Sequence, residues 1–337
     1  MAATLPLLPR YQRPLTFGGV LDETFRIYRR WWPRLMAITA LSIFPGAIAL
    51  LVLGGAAVTA FFSDVMALTG DEGARNAVLA GLGAGVVVAA IVYGLCVLAG
   101  QAAVSAMTDG LIRGAERSVW QAFGMAFNRI LALIGATFVY SLATLALAVA
   151  AVPLFVLGGF GIVGGLVALI AAVFWVNRPE RRPPWLKWLI ILAVPFGLPI
   201  YFGVRWSLWL QAIVLDRAGP IAGLQRSGAL VQGHWFHVAG IWFVLGVVVY
   251  ILQSIPGAIV LAVAAIAGVR GVGSDADGIN LIVTLGNNAA NFVGWILFGA
   301  LTFIAATLLF VDLRNRREGA DLAERLDVLE AGASAAS

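Results

Sequence analysis

Long uncharged apolar runs alternate along this chain with short segments that hold nearly all of its charge. The runs cover residues 35–62, 77–108, 130–177, 238–269 and 279–311. Each exceeds the ~20 residues that cross a ~30 Å hydrocarbon layer as a helix. The run 130–177 is long enough for two crossings, with Gly158-Gly159 as the break between them. A further apolar segment, 188–215, is interrupted by Pro195, Gly197, Pro199 and Arg205. The pattern predicts an all-α polytopic transmembrane helical bundle. Treating 188–215 as a re-entrant pair bent at 195–199 gives six crossings, and treating it as one helix gives seven. Broken backbone of that kind is tolerated in a membrane only where protein or a cavity covers it.

Composition removes the soluble alternative. Hydrophobic residues make up 61% of the 337 and charged residues 12%, against about 25% charged in an ordinary soluble domain. The basic residues are 21 Arg and one Lys, Lys187, for a formal charge of +5. Their position between apolar runs fits the positive-inside rule and gives no footprint for nucleic acid. The connections 63–76 and 270–278 are net acidic, holding Asp64, Asp71, Glu72, Asp275 and Asp277 against Arg75 and Arg270. The first 34 residues carry six Arg, and the tail carries Arg314, Arg316, Arg317 and Arg325. Both termini are therefore expected in the cytoplasm, which requires an even number of crossings. The N-terminus shows no signal-peptide pattern.

Three charged-aromatic segments precede apolar runs. In 16–32, Leu21, Phe25, Tyr28 and Trp32 share one helical face, and Asp22, Arg26, Arg29 and Arg30 the other. In 118–129, Phe123 and Phe127 lie one turn apart. In 219–237, Ile221, Leu224, Gly228, Val231 and Trp235 repeat the spacing, with Pro220 suited to a first helical position. Leu21 aligns with Leu224, Tyr28 with Val231 and Trp32 with Trp235 without a gap. Each segment reads as a cytoplasmic amphipathic interfacial helix followed by a helix pair. This predicts one integral-membrane domain, 1–311, of units 16–107, 108–215 and 216–311, and a basic amphipathic tail, 312–337, with Leu322, Leu326 and Leu329 on one face.

Three stretches resemble a known family. Residues 17–30 read FGGVLDETFRIYRR. Residues 201–208 read YFGVRWSL and are followed by Val214-Leu215-Asp216, Arg226-Ser227 and Gly233-His234-Trp235. Residues 307–322 read TLLFVDLRNRREGADL. In this order they resemble the bacterial family named for the membrane domain of glycerophosphoryl diester phosphodiesterase. The resemblance implies an integral protein of the bacterial cytoplasmic membrane with about six helices. The phosphodiesterase activity of fused members is not expected here, because a catalytic barrel needs roughly 250 further residues.

The candidate sites are few. Arg205, with Trp206, Ser207, Trp209 and Gln211, lies inside an apolar segment, where a charge costs several kcal/mol. It either contacts an anion such as a lipid headgroup or pairs with Asp216, Asp109 or Asp312. Arg314, Arg316 and Arg317 follow the last apolar run, where each attracts anionic lipid by about 1 kcal/mol or acts only as a stop-transfer anchor. Asn287, Asn288 and Asn291, with Thr284, form an intramembrane polar cluster that reads as packing glue or a substrate site. His234 and His237 are the only histidines and Cys96 the only cysteine, so no metal site, Cys–His pair or cofactor is expected. GFGIVG at 159–164 matches a dinucleotide fingerprint without the alternating βα context that the fingerprint needs. Gly161 with Gly165, and Gly81 with Gly85, give the spacing of close helix contact instead.

No catalytic residue is nominated. The expectation is a non-enzymatic multi-pass membrane protein in lipid or envelope handling, as conduit or scaffold. The alternative is a membrane subunit or assembly partner of a larger complex, with a small-solute transporter behind it. Membrane lipids are the expected partners, with a protein partner or homo-oligomer left open.

Overall fold

Apolar periodicity and breaker residues produce a wholly helical architecture. The computed structural model describes residues 7–60, 72–158, 199–266 and 276–318. A 3₁₀ turn, Pro9–Tyr11, precedes α1 (Phe17–Ala60), α2 (Glu72–Ile112), α3 (Val119–Phe127), α4 (Ile130–Gly158), α5 (Trp209–Leu215), α6 (Pro220–Val231), α7 (Trp235–Ile266) and α8 (Ala276–Glu318). Among the described residues there is no strand. Among the described residues, four stretches are long and apolar enough to cross a membrane: Gly83–Ile112, Ile130–Leu147, Trp235–Ile266 and Gly286–Arg317. The break at Gly158-Gly159, the glycines of 159–165, the basic segment 178–187, the bend at 195–198, the acidic residues Asp64, Asp71 and Asp275, and the leucine face of the tail lie outside the described residues.

A short helix precedes a long one three times. α1 is two helices merged across a break at Trp31 (φ −119°, ψ 16°). Pro33 causes it, since it has no N–H for the carbonyl four residues back and its ring crowds that carbonyl. α3 starts at a capping box: Ser118 Oγ accepts from Gln121 N–H, and Gln121 Oε1 accepts from Ser118 N–H. α6 has Pro220 in its first turn and ends at Gly233, whose φ of +85° suits glycine alone. The third segment was read as continuous through Trp235. The chain instead turns at Gln232-Gly233, and Trp235 opens α7. Trp32 likewise stands just after the α1 break.

The chain divides into two compact units, 1–130 with 240–337, and 131–239. They cut across the three sequence repeats, because the first and last helix pairs belong to one unit.

In the larger unit α8 is the central helix: 72% of its most apolar stretch is buried, against 17% or 11% for the other three spans. Tyr28 and Leu21 of α1 pack on a core of Leu245, Val249, Leu301 and Ala305. Phe44 meets Phe292 edge-on at 6.4 Å. Close approach depends on glycine at two crossings. A β-carbon on Gly294 would stand 2.2 Å from the Gln253 carbonyl oxygen, and one on Gly46 would stand 2.6 Å from Tyr93 Cα. Gly81 and Gly85 have no neighbour within 4 Å of such an atom. Among the described residues, the glycine spacing at Gly81 and Gly85 therefore marks no close helix contact.

The buried side of the 16–32 segment is shifted in part from its expected setting. Val20, Glu23, Thr24 and Ile27 are buried, whereas Phe25 and Trp32 are 37% and 49% exposed. Leu21 and Tyr28 of the expected face still pack on the core, and Asp22, Arg26, Arg29 and Arg30 are exposed as expected, so the buried side extends to neighbouring positions and takes in a carboxylate.

In the smaller unit the segment 188–215 is not one helix. A helical stretch ends at Arg205, the chain turns at 206–208, and α5 follows. Ser227 of α6 supports this break: its hydroxyl donates to the Arg205 carbonyl at 2.9 Å and accepts the Leu208 N–H at 3.1 Å. Broken backbone polar groups are thereby covered by protein.

Candidate functional site

Three acidic residues at helix ends organise the charged face of the sequence. Asp109 lies in the last turn of α2 and binds Arg113 at 2.9 Å and Arg117 at 3.3 Å. Asp216 caps α5 and binds Arg226 at 3.0 Å. Asp312 in α8 binds Arg316 at 2.8 Å. A carboxylate opposes the negative end of a helix dipole, so each needs a cation close by. Arginines one turn along the same helix supply it twice, and they are the closest competitors for the charge.

This assignment decides the setting of Arg205. The three acids considered for it are all engaged by other arginines, and among the described residues Arg205 has no carboxylate partner. Its guanidinium instead donates to the Tyr201 hydroxyl at 3.2 Å and lies 5.9 Å from the Tyr201 ring. Its Nε stands 3.0 Å from where a β-carbon of Gly228 would lie. Tyr201 stacks on Trp235 at 6.1 Å, and the Trp235 indole donates to the Tyr201 carbonyl at 3.2 Å. A half-buried cation thus rests beside the Tyr201 ring and against the open α-carbon of Gly228 in α6.

The Asn cluster belongs to the larger unit. A β-carbon on Gly257 would lie 2.7 Å from Asn287 Oδ1 and 3.3 Å from Asn291 Nδ2. Asn291 also donates to the Asn287 carbonyl at 2.9 Å. Both amides therefore sit at the contact of α8 with α7, while Asn288 is exposed. Arg205 belongs to the other unit, so no single compact unit contains both candidates.

The tail arginines have unequal settings. Arg316 is held by Asp312 and donates to the Leu15 carbonyl at 2.5 Å. Asn315 donates to the Tyr11 carbonyl at 2.8 Å. Arg314 is half-buried and Arg317 exposed. The motif at 312–316 thus fastens residues 7–16 to the end of α8. The same strap caps α2, where Leu8 N–H donates to the orphan carbonyl of Ile112 at 3.0 Å.

Beneath this strap lies a cleft of about 230 Å³ that sequence reading did not nominate. The strap, the first part of α1 and the end of α2 line it. Glu23, 4% exposed, forms its inner wall. The Tyr11 hydroxyl donates to Glu23, Arg26 is ion-paired with it, and Arg10 stands 3.6 Å away. Burial pushes the Tyr11 hydroxyl above its ordinary pKa of 10.0, with Arg10 and Arg26 opposing the shift. The signal was present as Val20, Glu23, Thr24 and Ile27, a core spacing that includes a carboxylate.

Among the described residues no group of three or more His, Cys, Asp or Glu is placed to hold a metal ion. Compared with family models, curated proteins and solved structures, the chain matches none.

Proposed function

We propose that the protein is a non-enzymatic multi-pass scaffold of the bacterial cytoplasmic membrane, working in lipid or envelope handling, with six crossings and both termini in the cytoplasm. The observation that carries the membrane setting is the apolar exterior of the long helices. Phe243, Tyr250, Ile259 and Val263 of α7 are 73%, 74%, 58% and 60% exposed, apolar surface along the length of the helix that water would not tolerate. The short helices before α4 and α7, and the one that opens α1, lie along the inner surface, with Trp120 and Phe127 of α3 as interfacial anchors.

The scaffold reading is favoured over a conduit by the glycine-tight crossings of the larger unit. The cleft near Ser42, Gln101 and Trp295 is about 30 Å³, room for about two water molecules. The Asn cluster acts as helix glue under this reading. The likeness of 17–30, 201–208 and 307–322 to the glycerophosphoryl diester phosphodiesterase membrane-domain family supports the same assignment.

Cysteine accessibility in intact cells tests it, in a Cys96→Ser background. Cysteines at 13 and 317 should react with an impermeant thiol reagent only after permeabilisation, and cysteine at 287 should remain unreactive. Labelling at 287 by the aqueous reagent would replace the scaffold with a conduit.

A further inference from the structure

We propose that the cleft between the N-terminal strap and the first turns of α1 binds a phosphate group, supplied either by an anionic lipid headgroup or by a soluble phosphate compound. The proposal rests on the cytoplasmic-surface reading of the short helix in α1. Arg10, Arg26 and Arg30 line the cleft together with Trp31, and the acids Glu23 and Glu116 are its counter-charges. Both acids are already engaged. Glu23 is shared by Tyr11, Arg10 and Arg26, and Glu116 pairs with Arg34 at 3.3 Å.

Arg30 is left over. Among the described residues it has no carboxylate, and its guanidinium lies 5.8 Å from the Trp31 ring. Arg34 lies 4.6 Å from the same ring. This ring orients both cations without neutralising either. Glu23 uses one face of Arg10 and Arg26, whose side chains remain 48% and 55% exposed. Three guanidinium groups around one concavity, with spare N–H donors, suit a tetrahedral oxyanion that accepts several charge-assisted bonds.

The cleft is also placed for such a ligand. The helix break at Trp31, forced by Pro33, puts Trp31 and Trp32 where the charged helix gives way to the apolar one. Tryptophan at that transition marks headgroup depth. Gly114, whose φ is +74°, turns the chain after α2 and forms part of the cleft wall.

Native mass spectrometry of the full chain, released from nanodiscs of phosphatidylcholine with phosphatidylglycerol, tests this. The wild type should retain phosphatidylglycerol preferentially. Arg30→Gln should reduce that retention about tenfold, as expected for one charge-assisted contact, and Arg30→Lys should restore part of it. Arg29→Gln, one position along and outside the cleft, should retain the lipid as the wild type does. Equal losses in Arg29→Gln and Arg30→Gln would overturn the proposal, as would equal retention of both lipids by the wild type together with no inorganic phosphate adduct on the wild-type protein. Displacement by millimolar inorganic phosphate would assign the cleft to a soluble phosphate compound, and persistence would assign it to the headgroup; both uphold the phosphate class. Failure here with inward labelling at position 13 would remove the cleft alone, whereas outward labelling would remove the topology beneath it.

Discussion

The main-chain N–H of Leu15 donates to Asp312 Oδ1 at 2.7 Å, joining positions 297 apart in sequence. The Asp312 side chain is fully buried and also binds Arg316, so one carboxylate fixes the strap and neutralises a cation. Loss of a hydrogen bond to a charged group costs about 1.5–3 kcal/mol. Asp312→Ala should therefore lower thermal stability and expose Arg10 and Arg13 to trypsin. Asp312→Asn keeps the acceptor oxygen and should show a smaller effect on both. Equal trypsin resistance in Asp312→Ala and wild type would remove the clasp.

Tyr11 gives the strap an alkaline limit. Its native pKa is raised above the unfolded value of 10.0, so the folded state holds the proton more tightly than the unfolded one. That contribution is intact below pH 10 and is lost as pH rises through the native value. A spin label at position 13 should become mobile above pH 10. Tyr11→Phe should start less stable by about 1 kcal/mol and lose this alkaline transition.

The glycines separate contact from spacing. Gly294→Ala drives a β-carbon into a backbone carbonyl and should destabilise by about 1–3 kcal/mol or more. Gly81→Ala enters open space and should be neutral or slightly stabilising, since Ala favours the helix by about 1 kcal/mol. Thermal melts in one detergent decide the pair.

Arg217 follows the Asp216 cap with φ 55°, a left-handed conformation rare outside glycine. Arg217→Gly should stabilise by up to about 1 kcal/mol, provided the Asp216–Arg226 ion pair persists. A lower melting temperature would show that the Arg217 side chain contributes more than its backbone strain costs.

Some local structure was legible: Pro220 marked a helix start. The capping box of Ser118 with Gln121 and the break before Pro33 also depend on chemistry within a few residues, but they were read only from the structure. The site was less so. Among the described residues Arg205 has no carboxylate partner, and Asp216, the acid of its own compact unit considered for it, is engaged by Arg226. Choosing among acids requires knowing which helix ends meet. Glu23 was unmarked because its partners, Tyr11 and Arg10, come from a strap whose path no periodicity specifies.

By itself the sequence determined a helical chain with stretches long and apolar enough to cross a membrane and with short helices before long ones. Apolar runs and breakers act locally, and lipid leaves the backbone little choice but to satisfy itself within helices. The tertiary structure decided which glycines are contacts, which face of the first helix is buried, and which arginines keep a free charge. Those outcomes depend on what arrives opposite each side chain. A β-carbon at Gly294, a glycine the sequence did not single out, meets a carbonyl, while one at Gly81, which it did, meets no neighbour among the described residues.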